Sequence, residues 1–134
     1  LCQLEEDFQR LTADFSLDEA ALSAGNEETL PDVESRRIAG ATDALYGEMT
    51  WWAMASIFTS ILEKGLPEGD FVDLGSGLGK AIVAAGVLGN QKEGLWRCLR
   101  GVESSAALYE ASLALAEAWN RRRGPPVEIY QGDA

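Results

Sequence analysis

Histidine is absent from all 134 residues. That gap excludes Ser-His-Asp and Cys-His nucleophile systems, His-ligated zinc and any imidazole general base. The available chemistry must come from carboxylates, hydroxyls, lysine, backbone or a cofactor. Cysteine is scarce: Cys2 and Cys98 stand far apart and neither is half of a C-x-x-C pair. A zinc ribbon and a dithiol redox motif are therefore excluded, and a reduced, intracellular chain is the expectation. Long apolar runs are missing as well, since the most apolar stretch, residues 81–88, is far too short for a membrane span. The chain opens at Leu1 with no basic-then-apolar leader, so no intact signal peptide is expected, and the chain reads as a segment of something longer.

Positive charge is the other shortage. The 22 acids outnumber the 11 bases, for a net charge of -11. The excess is uneven: residues 1–35 hold ten acids against Arg10 alone, a net of -9, and the remaining residues are nearly balanced at -2. Polyanions are bound by neutralising their phosphates with Lys and Arg, so no direct nucleic-acid binding is expected of this segment.

What is present is organised. Leu1, Leu4, Phe8, Leu11 and Phe15 recur at spacings of three and four, a narrow apolar seam that predicts a helix packed on its own domain. Ser16 and Glu19 form a capping box for a second short helix ending near Gly25, and residues 26–42 read as a connector. Thr50 then caps a helix whose apolar face is Met54, Ile57, Phe58, Ile61 and Leu62, closed by Lys64, Gly65 and Pro67. Trp51 and Trp52 are expected in the core or an interface.

Residues 69–80, Gly-Asp-Phe-Val-Asp-Leu-Gly-Ser-Gly-Leu-Gly-Lys, lead into the small apolar run 81–88. A strand, a glycine turn and a buried helix open a βαβ unit. A second strand is predicted at residues 99–102. Ser104 or Ser105 then caps a long helix with Leu108, Ala111, Leu115, Ala118 and Trp119 on one side. Arg121, Arg122 and Arg123 in its last turn suit the helix dipole better than a nucleic acid, and a third strand spans 127–130. The expected class is α/β: half of a Rossmann-like doubly wound sheet, preceded by a small acidic helical segment. The boundary falls between residues 1–43 and 44–134.

Spacing narrows what the glycine turn can bind. A phosphate-binding P-loop needs four residues between its glycines and a Ser or Thr after the lysine. Here Gly75 and Gly79 enclose three, and Ala81 follows Lys80. The dinucleotide fingerprint G-x-G-x-x-G is not met either, because Gly75, Gly77 and Gly79 form G-x-G-x-G. Asp73 stands two residues before the first glycine, and a carboxylate there suits a ligand that presents a cation and no phosphate, such as S-adenosylmethionine. Glu103 ends the second strand 30 residues after Asp73, where doubly wound folds place an acid on ribose hydroxyls. Asp133 ends the third. Three acids thus fall at the carboxyl ends of successive strands.

With these residues in view, the run from Phe71 to Lys80 resembles motif I of class I S-adenosylmethionine-dependent methyltransferases. Its F-x-D-L-G-S-G-x-G form has Tyr46-Gly47-Glu48 upstream, with Gly101-Val102-Glu103 and Gly132-Asp133 downstream. In that setting it is similar to the disruptor-of-telomeric-silencing family of non-SET histone lysine methyltransferases, over roughly residues 44–134. The resemblance implies that Asp73 and the turn of Gly75, Ser76, Gly77 and Gly79 hold the methionine portion, Glu103 the ribose and Asp133 the adenine amine, with Lys80 counted among the cofactor-binding residues. Tyr46, Gly47, Glu48 and Thr50 would cover the cofactor. It also implies a protein substrate of the histone kind and a nuclear location. The chain departs from the family pattern at Lys80, at Met49-Thr50 and at Ala134, and the strand that would line the lysine channel is expected beyond Ala134. Methylation of a small molecule or non-histone protein, and a non-catalytic methyltransferase-like scaffold, stand as alternatives.

Overall fold

The computed structural model describes residues 2–14, 49–65, 67–122 and 124–133. In chain order these form α1 (Cys2–Thr12), α2 (Trp51–Glu63), β1 (Gly69–Leu74), α3 (Lys80–Gly89), β2 (Trp96–Glu103), α4 (Ala106–Asn120) and β3 (Val127–Gln131). The second short helix and connector expected between residues 16 and 42 lie outside the described residues, as does Arg123. The three strands form one parallel sheet in the order β1-β2-β3. A helix separates each strand from the next, which is what lets sequential strands run parallel. The molecule is therefore α/β, as the alternation of patterns predicts.

Packing centres on α3. Every residue from Ile82 to Gly89 is buried, which is why the run of small apolar residues shows no polar face. It lies on β1 and β2, with α2 and α1 against its other sides, and α4 packs on β3. Glycines set how closely it can lie. A Cβ on Gly101 would stand 2.5 Å from Ile82 Cδ1, and one on Gly86 would stand 2.5 Å from the Trp119 ring. Trp119, buried, donates its indole N–H to the Pro125 carbonyl at 2.8 Å, and Asn120 and Val127 exchange two hydrogen bonds that dock the end of α4 on β3.

Caps follow the sequence. The Thr50 hydroxyl accepts from the Ala53 N–H at 3.2 Å, and the Ser105 hydroxyl accepts from the Leu108 N–H at 3.4 Å. The phase of α2 differs from expectation. Its buried face is Trp51, Met54, Ala55 and Phe58, whereas Ile57 is 45% exposed. Trp51 sets this phase by stacking on Phe8 of α1, with centroids 5.1 Å apart, and positions three, four and seven further on must then face inward. Trp52 is correspondingly exposed. The second strand begins at Trp96 rather than Leu99, because the Trp96 ring joins Phe58 and Phe71 in an aromatic cluster and its N–H reaches the Ala85 carbonyl at 3.0 Å.

α4 ends at Asn120, so the arginines follow its last turn. Arg121 pairs with Glu117 at 2.8 Å, and Arg122 lies 5.6 Å from the Trp119 ring centre and 3.8 Å from Asp7 of α1. Arg122 thus links α4 to α1, the packing role that the apolar seam predicts for α1.

All four described helices pack on one face of the sheet or on each other. Strand alternation turns Asp70, Val72 and Leu74 of β1, Arg100 and Val102 of β2, and Glu128 and Tyr130 of β3 to the opposite face. Across its lower half Arg100 bridges Asp70 and Glu128, with Arg97 also 3.5 Å from Asp70 and the Tyr130 hydroxyl donating to Glu128 at 2.8 Å. The upper half is apolar and open: Leu74 is 65% and Val72 52% exposed.

Two outcomes are expected. Alanine is favoured over glycine in a helix by about 1 kcal/mol, but overpacking costs roughly 1–3 kcal/mol, and both Trp119 and Leu99 beside Gly86 are fully enclosed. Gly86→Ala should therefore lower stability by about 1–2 kcal/mol in urea unfolding; a gain would contradict this packing. Parallel sheets are normally covered on both faces, so the chain should self-associate through Val72 and Leu74. Sedimentation velocity should show association that rises with concentration and is reversed by Val72→Lys with Leu74→Lys, and a sharply melting monomer would contradict it.

Candidate functional site

The carboxyl ends of the strands converge on the turn between β1 and α3. Gly75, Gly77 and Gly79 all adopt positive φ, at 80°, 52° and 86°. Only glycine takes such values freely, which explains why the turn alternates glycine with other residues. A Cβ on Gly75 would meet nothing within 4 Å, so backbone conformation rather than crowding selects glycine there. The turn is pinned from β2: the Gly75 and Ser76 N–H groups both donate to the Val102 carbonyl, at 2.8 and 3.0 Å, and the Gly79 N–H closes the turn on the Ser76 carbonyl at 2.8 Å.

Glu103 has an unusual setting for an acid. It is 5% exposed, and its two carboxylate oxygens accept from the Gly77 N–H and the Ser105 N–H, each at 2.7 Å. Its backbone carbonyl accepts from the Gly132 N–H at 3.0 Å, which brings the end of β3 alongside. Asp73 sits opposite Gly101 in the sheet register and is half-buried. Burial pushes its carboxyl above the usual carboxylate range, and the negative charge of Glu103 pushes it further. Asp133 lies exposed beyond β3.

A cleft of about 270 Å³ opens at this edge, lined by Leu74, Gly75, Val102, Ser104, Gly132 and Asp133. The structure thus brings Asp73, the glycine turn, Glu103 and Asp133 to one edge, with Gly75 and Asp133 on the cleft wall. Ser76 and Glu103 face inward instead. The Ser76 hydroxyl is buried without a hydrogen-bond partner, in the space that the missing Gly101 side chain leaves. Leu74, Val102 and Ser104 line the cleft although the sequence reading gave none of them a ligand-binding role; each adjoins a residue to which it did.

Lys80 and Thr50 border a second cleft, of about 350 Å³, on the helical side, whose wall includes Glu5, Phe8, Met49, Trp51 and Trp52. The contribution of α1 to that wall has no local signal, because it depends on a helix that is remote in sequence. Tyr46, Gly47 and Glu48 lie outside the described residues. A larger cleft, about 510 Å³, is at the opposite edge of the sheet around Asn90, Trp96 and Pro125, far from the glycine turn and its acids. No group of three or more Cys, Asp or Glu among the described residues is placed to hold a metal ion, and no described helix is long and apolar enough to cross a membrane.

Chemically, the edge offers an anionic seat beside a glycine-rich turn whose backbone is open at Gly75. A ligand bearing a positive charge would offset the electrostatic cost at Asp73, whereas a phosphate would meet Asp73, Glu103 and Asp133 with like charge. Comparison of the chain with protein-family models and with curated proteins finds no match.

The sign of the Asp73 effect can be tested in the ligand-free protein. A carboxyl whose folded pKa is raised costs stability above that pKa, and the cost is relieved as pH falls through it. Asp73→Asn should therefore raise the melting temperature at neutral pH by a few degrees at most, and the advantage over wild type should shrink on acidification. A variant less stable than wild type at pH 7 would show that Asp73 is already compensated by a positive partner.

Proposed function

We propose that this chain carries the cofactor-binding portion of an S-adenosylmethionine-dependent methyltransferase, of the protein-lysine N-methyltransferase type, with a Rossmann-like sheet. The observation that carries the reading is the edge itself: a turn of three positive-φ glycines flanked by Asp73, Glu103 and Asp133, with one acid half-buried and held at a raised pKa. A ligand with an ammonium and a sulfonium but no phosphate matches that charge pattern. The space above Gly75 leaves its backbone open to such a ligand.

In this reading Asp73 and the turn seat the methionine portion, Glu103, turned inward on the Gly77 and Ser105 N–H groups, is assigned the ribose hydroxyls through its remaining lone pairs, and Asp133 the adenine amine. The covering role belongs, by the same resemblance, to Tyr46, Gly47, Glu48 and Thr50. When bound, S-adenosylmethionine supplies an activated methyl for in-line transfer to a nucleophile. The chain's own residues orient that ligand and exclude water from it, and a neutral lysine amine needs no general base held by the protein. The absence of histidine is compatible with such a reaction. Histone substrates and a nuclear location belong to the same proposal. The net charge of -11 favours a second reading, methylation of a small molecule or a non-histone protein, because nucleosome engagement relies on basic segments.

Isothermal titration of the full-length protein with S-adenosylhomocysteine should show binding, weakened by about tenfold or more in Asp73→Ala and in Glu103→Ala, as expected for loss of hydrogen bonds to charged groups. No binding by the full-length protein would sink the proposal. Incubation with labelled S-adenosylmethionine and either nucleosomes or free metabolites separates the two substrate readings.

A further inference from the structure

We infer that Glu103 is the positioning residue that holds the glycine turn in its ligand-binding shape, so that it governs the sulfonium end of the ligand through Gly77 as well as any ribose it touches. The inference rests on the cofactor reading above. Within the turn, the N–H groups of Gly75, Ser76 and Gly79 are bonded to backbone carbonyls. That of Gly77 is bonded to a side chain 26 residues away, the Glu103 carboxylate. The other oxygen of the same carboxylate holds the N–H of Ser105, the cap residue of α4. One buried anion therefore joins the turn that leads into α3 to the start of α4, through two short charge-assisted bonds.

The arrangement demands a carboxylate specifically. Two N–H donors converge on one side chain, so both of its terminal atoms must accept. A glutamine offers one acceptor and one NH₂ group, and whichever way it is turned that NH₂ opposes an N–H. An aspartate keeps both acceptors but is one methylene shorter, too short to span Gly77 and Ser105 unchanged. A carboxylate has lone pairs beyond the two in use, so the strut and a ribose contact are compatible. The middle glycine, at φ 52°, is left by the backbone without a carbonyl partner inside the turn, and losing the strut frees it.

The test uses Glu103→Gln and Glu103→Asp in the full-length protein, the second variant serving if the first does not fold. Two ligand fragments are titrated by NMR: S-methylmethionine, which has a sulfonium amino acid and no ribose, and adenosine, which has ribose and no sulfonium. The strut predicts that S-methylmethionine binding weakens by about tenfold or more alongside adenosine binding. In the ligand-free variants the Gly77 and Ser105 amide protons should lose their carboxylate-induced downfield shift, and their exchange with solvent should speed up by about tenfold or more, while the rest of the spectrum is retained. Loss of adenosine binding with S-methylmethionine unaffected would reduce Glu103 to a ribose contact and overturn the inference, as would unchanged Gly77 exchange. If wild type binds neither fragment but Gly77 exchange accelerates in the variants, Glu103 stands as the strut of the turn and the cofactor reading falls instead.

Discussion

The close approach of α3 to β2 and to Trp119 is the constraint on which the rest of the structure depends. Gly101 and Gly86 admit no side chain at these two contacts, and the helix is buried along nearly its whole length. A helix lying that low on a parallel sheet must enter through a tight reversal from the strand before it. The reversal here takes three positive-φ glycines and two hydrogen bonds onto the Val102 carbonyl. Core packing and turn geometry are thus one requirement: the sequence that lets α3 settle on β2 also shapes the backbone that a ligand would meet. Ser76 shows the coupling at a single residue, since its side chain turns into the space that Gly101 leaves empty.

Charge is distributed according to what each face must do. On the open face of the sheet, Asp70, Arg100 and Glu128 neutralise one another across three strands. Exposed pairs of this kind contribute little stability; their effect is to keep the lower half of that face compatible with water. At the carboxyl edge, among the described residues, no ion pair balances Asp73, Glu103 or Asp133. Asp73 keeps a raised pKa because burial and Glu103 both disfavour its charge. A site that costs stability when empty and gains when a cation arrives is common where function sets the residue.

The parts of the fold legible in the sequence were those written locally. The Thr50 and Ser105 caps, the strand-turn-helix signature around Gly75, the burial of residues 82–88 and the acids at strand ends each need only a few neighbouring residues to be recognised. What stayed hidden depends on partners remote in the chain. Trp51 fixes the phase of α2 by stacking on Phe8, 43 positions earlier, and so leaves Ile57 in solvent. β2 extends back to Trp96 because Phe58 and Phe71 wait for its ring. The sequence placed Glu103 at the carboxyl edge of the sheet, but the two hydrogen bonds it accepts from Gly77 and Ser105 become visible only when β2 is laid beside the turn. The arginines after α4 read locally as dipole partners, while Arg122 also reaches Asp7 in a helix more than a hundred residues away.

Leu74 and Val102 connect the open face to the candidate site, because both belong to the uncovered apolar half of the sheet and both line the cleft at its edge. A wall laid over Val72 and Leu74 would therefore deepen the cleft at the same time as it buried the sheet. In the proposed reading, methyl transfer to an amine would depend on excluding water from the reacting groups, and a shallow cleft bordered by a 65%-exposed leucine does not do so by itself. The two demands converge on one requirement, cover over the upper half of the β1–β2 face. The Asp70–Arg100–Glu128 ladder marks the lower limit of that cover, since apolar contact there would strip solvent from charges whose partners already satisfy them.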